Sequence, residues 1–348
     1  MRKLGVAPTI LLIASWPVWL PAQSPPLRVA ATVERVNVDV AVTDAHGQFV
    51  SALERGQFHV FDNGAEQPIT DFATVDEPMH ILLLAEISPA VYMLSQEHLL
   101  AAYLLLDGLG QNDAVALATY DDRMHGVLGF TPEKSAVAEA LGRLQFSVGM
   151  ARLNLFGSLA EAMEASAHRP AESAGGVPGD IPAGRTAIVL LSTGLSDVRD
   201  PAVRQVLKDH LLTSGIPVYA VALGGALRAP PKKPPKHPAD SGVHGGPTPV
   251  TPAAAFARAD YDLREIAQSS GGRAYFPATG KELDAAYREI AVTLRHTYSL
   301  AFVPPAHDGK IHALRVELRD AAGQALAPGK GREVWNLLVR PAYMAPLP

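Results

Sequence analysis

The chain has 348 residues, a net charge of −5, 48% hydrophobic and 19% charged residues, enough for one sizeable core plus a smaller module, or for two domains. The acidic balance speaks against a nucleic-acid binder, and Lys232, Lys233 and Lys236 form only a short cluster among prolines that reads as a solvated loop. With no cysteine there is no disulfide, no thiolate nucleophile, no Cys-based zinc site and no Cys-linked lipid.

Residues 1–23 have the order of a secretory signal peptide: Arg2 and Lys3, an apolar stretch over 4–20, then Pro21, Ala22 and Gln23. Cleavage is expected after Ala22, leaving an exported, periplasmic or extracellular chain with no membrane association beyond the signal. The alternative is an uncleaved anchor helix, for which the stretch is short and carries Pro8 and Pro17.

Residues 27–75 read as an N-terminal β module. Val36, Val38, Val40 and Val42 alternate with Asn37, Asp39 and Ala41, the pattern of a half-buried strand. Strand signals recur at 49–50 and 58–61. Asp62-Asn63-Gly64 marks a hairpin turn, with 67–72 as the expected return strand.

From His80 onward strands and helices alternate. Continuous apolar runs at 80–85, 113–119, 186–191 and 217–223 read as strands buried on both faces. An edge strand is expected over 124–130 and a short strand over 273–276. Helices are expected over 96–109, from Thr131-Pro132 to about Leu144 with Thr131 as N-cap, and over 155–167, 202–212, 260–268 and 281–293. The order predicts an α/β fold, a doubly wound and mostly parallel sheet with helices on both faces, spanning 78–296. Residues 171–184 and 226–253 are rich in small residues, Gly and Pro; the second stretch reads as a disordered loop, since it has too little apolar surface to offset its ordering entropy. Residues 297–348 form a C-terminal β-strand region, with strands at 298–303, 313–318 and 334–339.

The ordered set of segments resembles the bacterial VWFA-related family, in which a von Willebrand factor type A (VWA) domain follows a short β module in an exported protein. The resemblance is carried by VNVDVAVTDAHGQFVSALERGQFHVFDNGAEQPITDF ahead of the domain, by Asp113-Ala114-Val115-Ala116 with Tyr120-Asp121, by residues 155–162, by AIVLLSTG over 187–194, and by LREIAQSSGGRAYF over 263–276. It covers most of the chain after the signal, and it implies a metal-ion-dependent adhesion site. In that pattern Asp-x-Ser-x-Ser follows the first strand, a Thr comes from a second loop and an Asp from the loop after the fourth strand. Together they hold Mg²⁺ at the carboxyl end of the sheet.

This chain departs from the pattern in each loop. Glu86-Ile87-Ser88-Pro89-Ala90 keeps one hydroxyl, at Ser88, lengthens the carboxylate to Glu86 and loses the second hydroxyl at Ala90. Leu153 stands at the Thr position, between Arg152 and Asn154, and Thr193 at the late Asp, with Asp197 four residues on. The adhesion site therefore reads as degraded, with no cofactor expected; Glu86 and Ser88 are expected to hydrogen-bond local backbone. Glu86, Ser88, Asn154, Thr193 and Asp197 are the candidate protein-binding residues, for a protein partner the sequence does not name.

Catalysis finds little footing. There is no G-x-S-x-G, no H-E-x-x-H and no phosphate loop. Gly224-Gly225 and Gly271-Gly272 suit helix ends or turns, His80 a structural role, His237 and His244 a solvated loop, and Asp121-Asp122 an exposed strand end. Three readings remain: a non-catalytic binding or scaffold protein; a Mg²⁺-dependent adhesion module using Glu86, Ser88 and Asp197; and a hydrolase-type enzyme on a doubly wound sheet.

Overall fold

The structure, a computed structural model, describes residues 35–44, 47–75, 77–92, 95–145, 152–167, 185–228, 252–320, 322–326 and 335–347. The expected signal peptide at 1–23, and all of 171–184 and most of 226–253, both expected to be loop-like, lie outside these residues.

Alternating valines make β1 (Val36–Thr43) and bury Val36, Val38, Val40 and Val42, since a strand turns every second side chain to the same face. After a single 3₁₀ turn at Arg55–Gln57, β2 (Phe58–Asp62) doubles back into β3 (Ala65–Gln67). Asn63 and Gly64 both have positive φ, 46° and 86°, as a tight hairpin turn demands. The return strand is thus 65–67 rather than 67–72. The next strand, β4 (Asp71–Val75), leaves for a different sheet, because Thr70 and the residues after it bond to the far end of the chain.

The alternating region runs β5 (Met79–Glu86), α1 (Pro89–Tyr92), α2 (Ser95–Gly108), β6 (Ala114–Tyr120), β7 (Met124–Thr131), α3 (Lys134–Gly142) and α4 (Leu155–Ala167). It continues with β8 (Arg185–Ser192), α5 (Pro201–Thr213), β9 (Val218–Ala222), α6 (Gly225–Arg228), α7 (Pro252–Ser270), β10 (Ala274–Tyr275) and α8 (Gly280–Arg295). The six strands order as β10-β9-β8-β5-β6-β7. All pairs are parallel except β6 with the edge strand β7. Chain order reverses between β5 and β8, the switch point of a doubly wound sheet. Alternate strand residues feed two cores. Ile81, Leu83, Val115 and Val189 pack under α2, α3 and α8, while Leu82, Leu84, Ile188 and Leu190 pack under α4, α5 and α7. That two-sided burial is why the strands are apolar without interruption.

Two helix starts differ from expectation. Thr131 ends β7, and its hydroxyl accepts the Glu133 N–H at 3.1 Å; Glu133, not Thr131, precedes the first turn of α3. Helix α7 begins at Pro252 rather than 260, and 225–228 is helical, so both ends of the expected 226–253 loop belong to helices. Ala253 to Ala255 are good helix formers that the Pro/Gly content of the stretch obscured.

The chain closes with β11 (Thr297–Phe302), β12 (Ile311–Leu318), β13 (Asn336–Leu338) and β14 (Ala342–Met344). These do not form a region of their own. One sheet orders as β13-β1-β11-β4 and a second as β14-β12-β2-β3, so strands from before and after the α/β domain interleave in both. The faces meet in one core of Val38, Val40, Phe58, Val60, Tyr298, Leu300, Phe302 and Val316. Residues 27–75 and 297–348, two regions in the sequence reading, thus contribute to one sandwich, with the α/β domain inserted between β4 and β11. No described helix is long and apolar enough to cross a membrane.

Candidate functional site

The carboxyl ends of the central strands bring together Glu86, the last residue of β5, Tyr120, the last of β6 and its partner in register, and Ser192, the last of β8. Thr193 follows Ser192, and Ser88 comes from the turn after β5. All five are buried: Glu86 and Ser88 are 1% exposed and Tyr120, Ser192 and Thr193 0%.

The Glu86 carboxylate is the hub. Ser88 Oγ donates to its Oε1 at 2.5 Å, the Thr193 N–H to its Oε2 at 2.7 Å, and the Thr193 hydroxyl lies 3.0 and 2.9 Å from the two oxygens. Tyr120 Oη is 2.6 Å from Ser192 Oγ and 3.1 Å from Glu86 Oε2, and Ser192 Oγ is 3.2 Å from that same oxygen, so both hydroxyls lie within hydrogen-bond distance of the carboxylate. The Gly194 N–H donates to Ser192 Oγ at 2.8 Å, completing that hydroxyl. Burial raises the Glu86 pKa, with the bonds from Ser88, Thr193 and Tyr120 pulling the other way. Burial, with the charge of Glu86, also pushes the Tyr120 hydroxyl well up, keeping it protonated and able to donate.

Arg228 closes the cluster from the α6 side. It pairs with Asp260, donates to the Thr193 carbonyl and to the Leu223 carbonyl (3.1 Å), and its guanidinium lies 4.9 Å from the Phe256 ring centre. Burial lowers its pKa to about 10, against the opposing charge of Glu86. The cation whose charge reaches the carboxylate is thus Arg228, whereas Arg152, beside Leu153, is exposed.

The expected site residues divide. Glu86, Ser88 and Thr193 converge but are enclosed, which corrects their assignment as residues that touch a partner. Asp197 is exposed and does not reach Glu86. Its carboxylate accepts the Leu153 N–H at 2.8 Å, and its own N–H donates to the Leu153 carbonyl at 2.8 Å. Asn154 starts α4: its Oδ1 accepts the Gly157 N–H at 3.0 Å, and its amide donates to the Asp122 carbonyl at 3.2 Å. Leu153 itself is buried in the α4 side of the core. Sequence reasoning missed Tyr120, Ser192 and Arg228. The first two were visible as polar residues ending buried strands, whereas Arg228 lay inside the stretch read as a loop.

A Mg²⁺ ion does not fit this donor set. Mg²⁺ demands six oxygens at about 2.1 Å in octahedral order. Here the single carboxylate has both oxygens engaged by hydroxyl and amide protons, the second carboxylate of the family pattern is a threonine, and a guanidinium stands beside it. On the neighbouring turn Asp121, Asp122 and His125 bring a ligand atom each within 4.8 Å of one another. Asp121 Oδ1 accepts from the Asp122 N–H (2.7 Å) and lies 2.8 Å from His125 Nε2; these bonds order the β6–β7 turn and explain the pair without an ion.

The strand order, the antiparallel edge and the polar cluster at the switch point define a doubly wound α/β domain, the architecture that the VWA resemblance implies. No family model and no curated protein matches the chain. Similar solved structures include a von Willebrand factor type A protein from Catenulispora acidiphila (12% identity, 88% of this chain and 74% of that one, TM-score 0.44). Others are an aerotolerance-related membrane protein from Bacteroides fragilis (17%, 61% and 98%, 0.41) and BatB from Bacteroides thetaiotaomicron (18%, 62% and 97%, 0.39).

Proposed function

We propose that the chain is an exported, non-catalytic protein-binding or scaffold protein whose VWA-like domain makes its contacts without a divalent metal. The observation that carries this reading is the state of Glu86: a buried carboxylate saturated by protons of its own chain and flanked by Arg228. Contacts to a protein partner then fall to the exposed loops around the cluster, where Asp197 and the partly exposed Asn154 lie, with Glu86, Ser88 and Thr193 holding those loops from beneath. An enzyme would call for a shifted acid or base in an accessible cleft; the shifted acid of this cluster, Glu86, is enclosed. Export rests on residues 1–23 and is checked by the N-terminus of the protein recovered from its host, expected near Gln23 or Ser24.

Calorimetric titration with Mg²⁺ and Mn²⁺, followed by affinity capture from the exported fraction with and without chelator, tests the reading. Capture that ignores chelator and is lost on Asp197→Ala supports it. Saturable, chelator-reversible metal binding would put the adhesion-module reading in its place.

A further inference from the structure

The opposite end of the sheet has a different character. At the amino ends of β8 and β9, the sandwich and the α/β domain leave a cleft of about 440 Å³, within the size range of small-molecule sites. Arg35, Arg185 and Arg340 line it against a single carboxylate, Asp39, and Ser214 and Tyr219 add hydroxyls. The two outer guanidiniums have partners. Arg35 pairs with Asp71 at the rim, while Arg185 donates from Nε to Asp39 at 2.9 Å and from Nη1 to the Thr297 hydroxyl.

Arg340 has no such partner. Its one hydrogen bond among the described residues runs from Nη2 to the Asn37 carbonyl at 2.7 Å, and no described carboxylate is at ion-pair distance from it. Its surroundings desolvate the guanidinium and lower its pKa, with the charge of Asp39 opposing. Up to four N–H donors are left over, because a guanidinium carries five. Arg340 is partly buried, and Asp39, the carboxylate whose charge reaches it, is held by Arg185, so its spare donors lack a carboxylate partner among the described residues.

Two glycines hold it there. Gly215, after α5, and Gly271, after α7, both adopt positive φ, 68° and 85°. A Cβ at 271 would lie 2.6 Å from the Arg340 N, and one at 215 would lie 3.4 Å from its Nη1. The ends of both helices are thus shaped to admit this arginine. The helix ends also bring partial negative charge, about half a unit each, which offsets part of the positive charge but offers no oxygen that Arg340 is seen to use. Tyr219 lines the same cleft, and its hydroxyl has no hydrogen-bond partner among the described residues. Burial raises its pKa, countered by the charges of Arg185 and Arg273, so it stays a neutral donor.

We propose that this cleft binds a small oxyanion, a carboxylate or phosphate group that takes the free donors of Arg340 and the hydroxyl of Tyr219. A planar fork suits both chemistries, since either presents two oxygens at matching spacing. The inference is independent of the reading of the Glu86 end.

The test is a titration of the full chain with inorganic phosphate and, separately, with citrate, followed by calorimetry and thermal shift against sodium chloride of equal ionic strength. At least one of the two is expected to bind saturably and raise the melting temperature in proportion to its excess over Kd. Phosphate alone, or citrate alone, identifies the group the cleft prefers. Arg340→Gln is expected to weaken that binding at least tenfold and Tyr219→Phe several-fold, with circular dichroism unchanged. Should Arg340→Gln fail to fold, Tyr219→Phe and Arg340→Lys, which keeps the charge and loses the fork, carry the same test. The proposal is overturned if neither anion saturates above the chloride control, or if the wild type and the folded Arg340 and Tyr219 variants bind alike.

Discussion

The two ends of the central sheet solve opposite problems. At the carboxyl end a carboxylate that could face an incoming ligand is surrounded by donors from the ends of three strands, and Arg228 holds the adjoining Thr193 carbonyl. At the amino end a guanidinium that could be neutralised by the chain is left with a cleft in front of it. Open α/β sheets ordinarily bind at the carboxyl end of the switch point, because loops diverge there and leave a crevice. In this chain the crevice is filled by hydrogen bonds. Where a fold offers a site and where a sequence leaves capacity unspent are separate questions, and only the second depends on the residues.

The comparison breaks most visibly at Glu86. Glu86→Ala removes the common acceptor and leaves buried hydroxyls and an N–H unpaired, so a loss of about 3–5 kcal/mol is expected in urea unfolding. A loss under about 1 kcal/mol would mean that water reaches the cluster. Gly271→Ala tests the other end. Positive φ and the clash with Arg340 together are expected to remove about 2 kcal/mol, and a neutral result would free Arg340 from the geometry assigned to it.

A smaller effect sharpens the contrast through pH. Folding raises the Glu86 pKa above its ordinary value of 4.5, so the folded state binds this proton more tightly than the unfolded one. The resulting stability is full below about pH 4.5 and is lost as pH rises through the elevated folded value. Glu86→Gln mimics the protonated acid and should flatten that part of the stability–pH curve; an unchanged slope would assign it to another group. The smallest expected effect is zero: millimolar Mg²⁺ should leave the melting temperature where chelator leaves it, and a reversible rise would contradict the sealed site.

Much of this architecture is legible in the chain. Residues 80–85, 113–119, 186–191 and 217–223 announce buried parallel strands because burial on both faces leaves no polar alternation, and Asn63-Gly64 announces its turn through backbone sterics. The departures from the metal pattern at Ala90, Leu153 and Thr193 were equally visible. Hydrophobic pattern does not reveal strand partners. Val36 pairs with Phe302 on the neighbouring strand of one sheet, and no local signal joins positions so distant. Nor does it tell which polar group meets which. Tyr120 reads as one more buried strand residue until its hydroxyl is seen 2.6 Å from Ser192. Arg228 was hidden differently, since the composition of its neighbours masked a short helix.

The insertion between β4 and β11 has a mechanical consequence. Val75 and Thr297, where the chain enters and leaves the α/β domain, are directly opposite each other on paired strands. Tension applied at β1 and β14 would be borne by the sandwich, whose β4–β11 bonds clamp that doorway shut. The inserted domain branches covalently from that doorway alone, and the Arg185–Asp39 pair ties it a second time to β1.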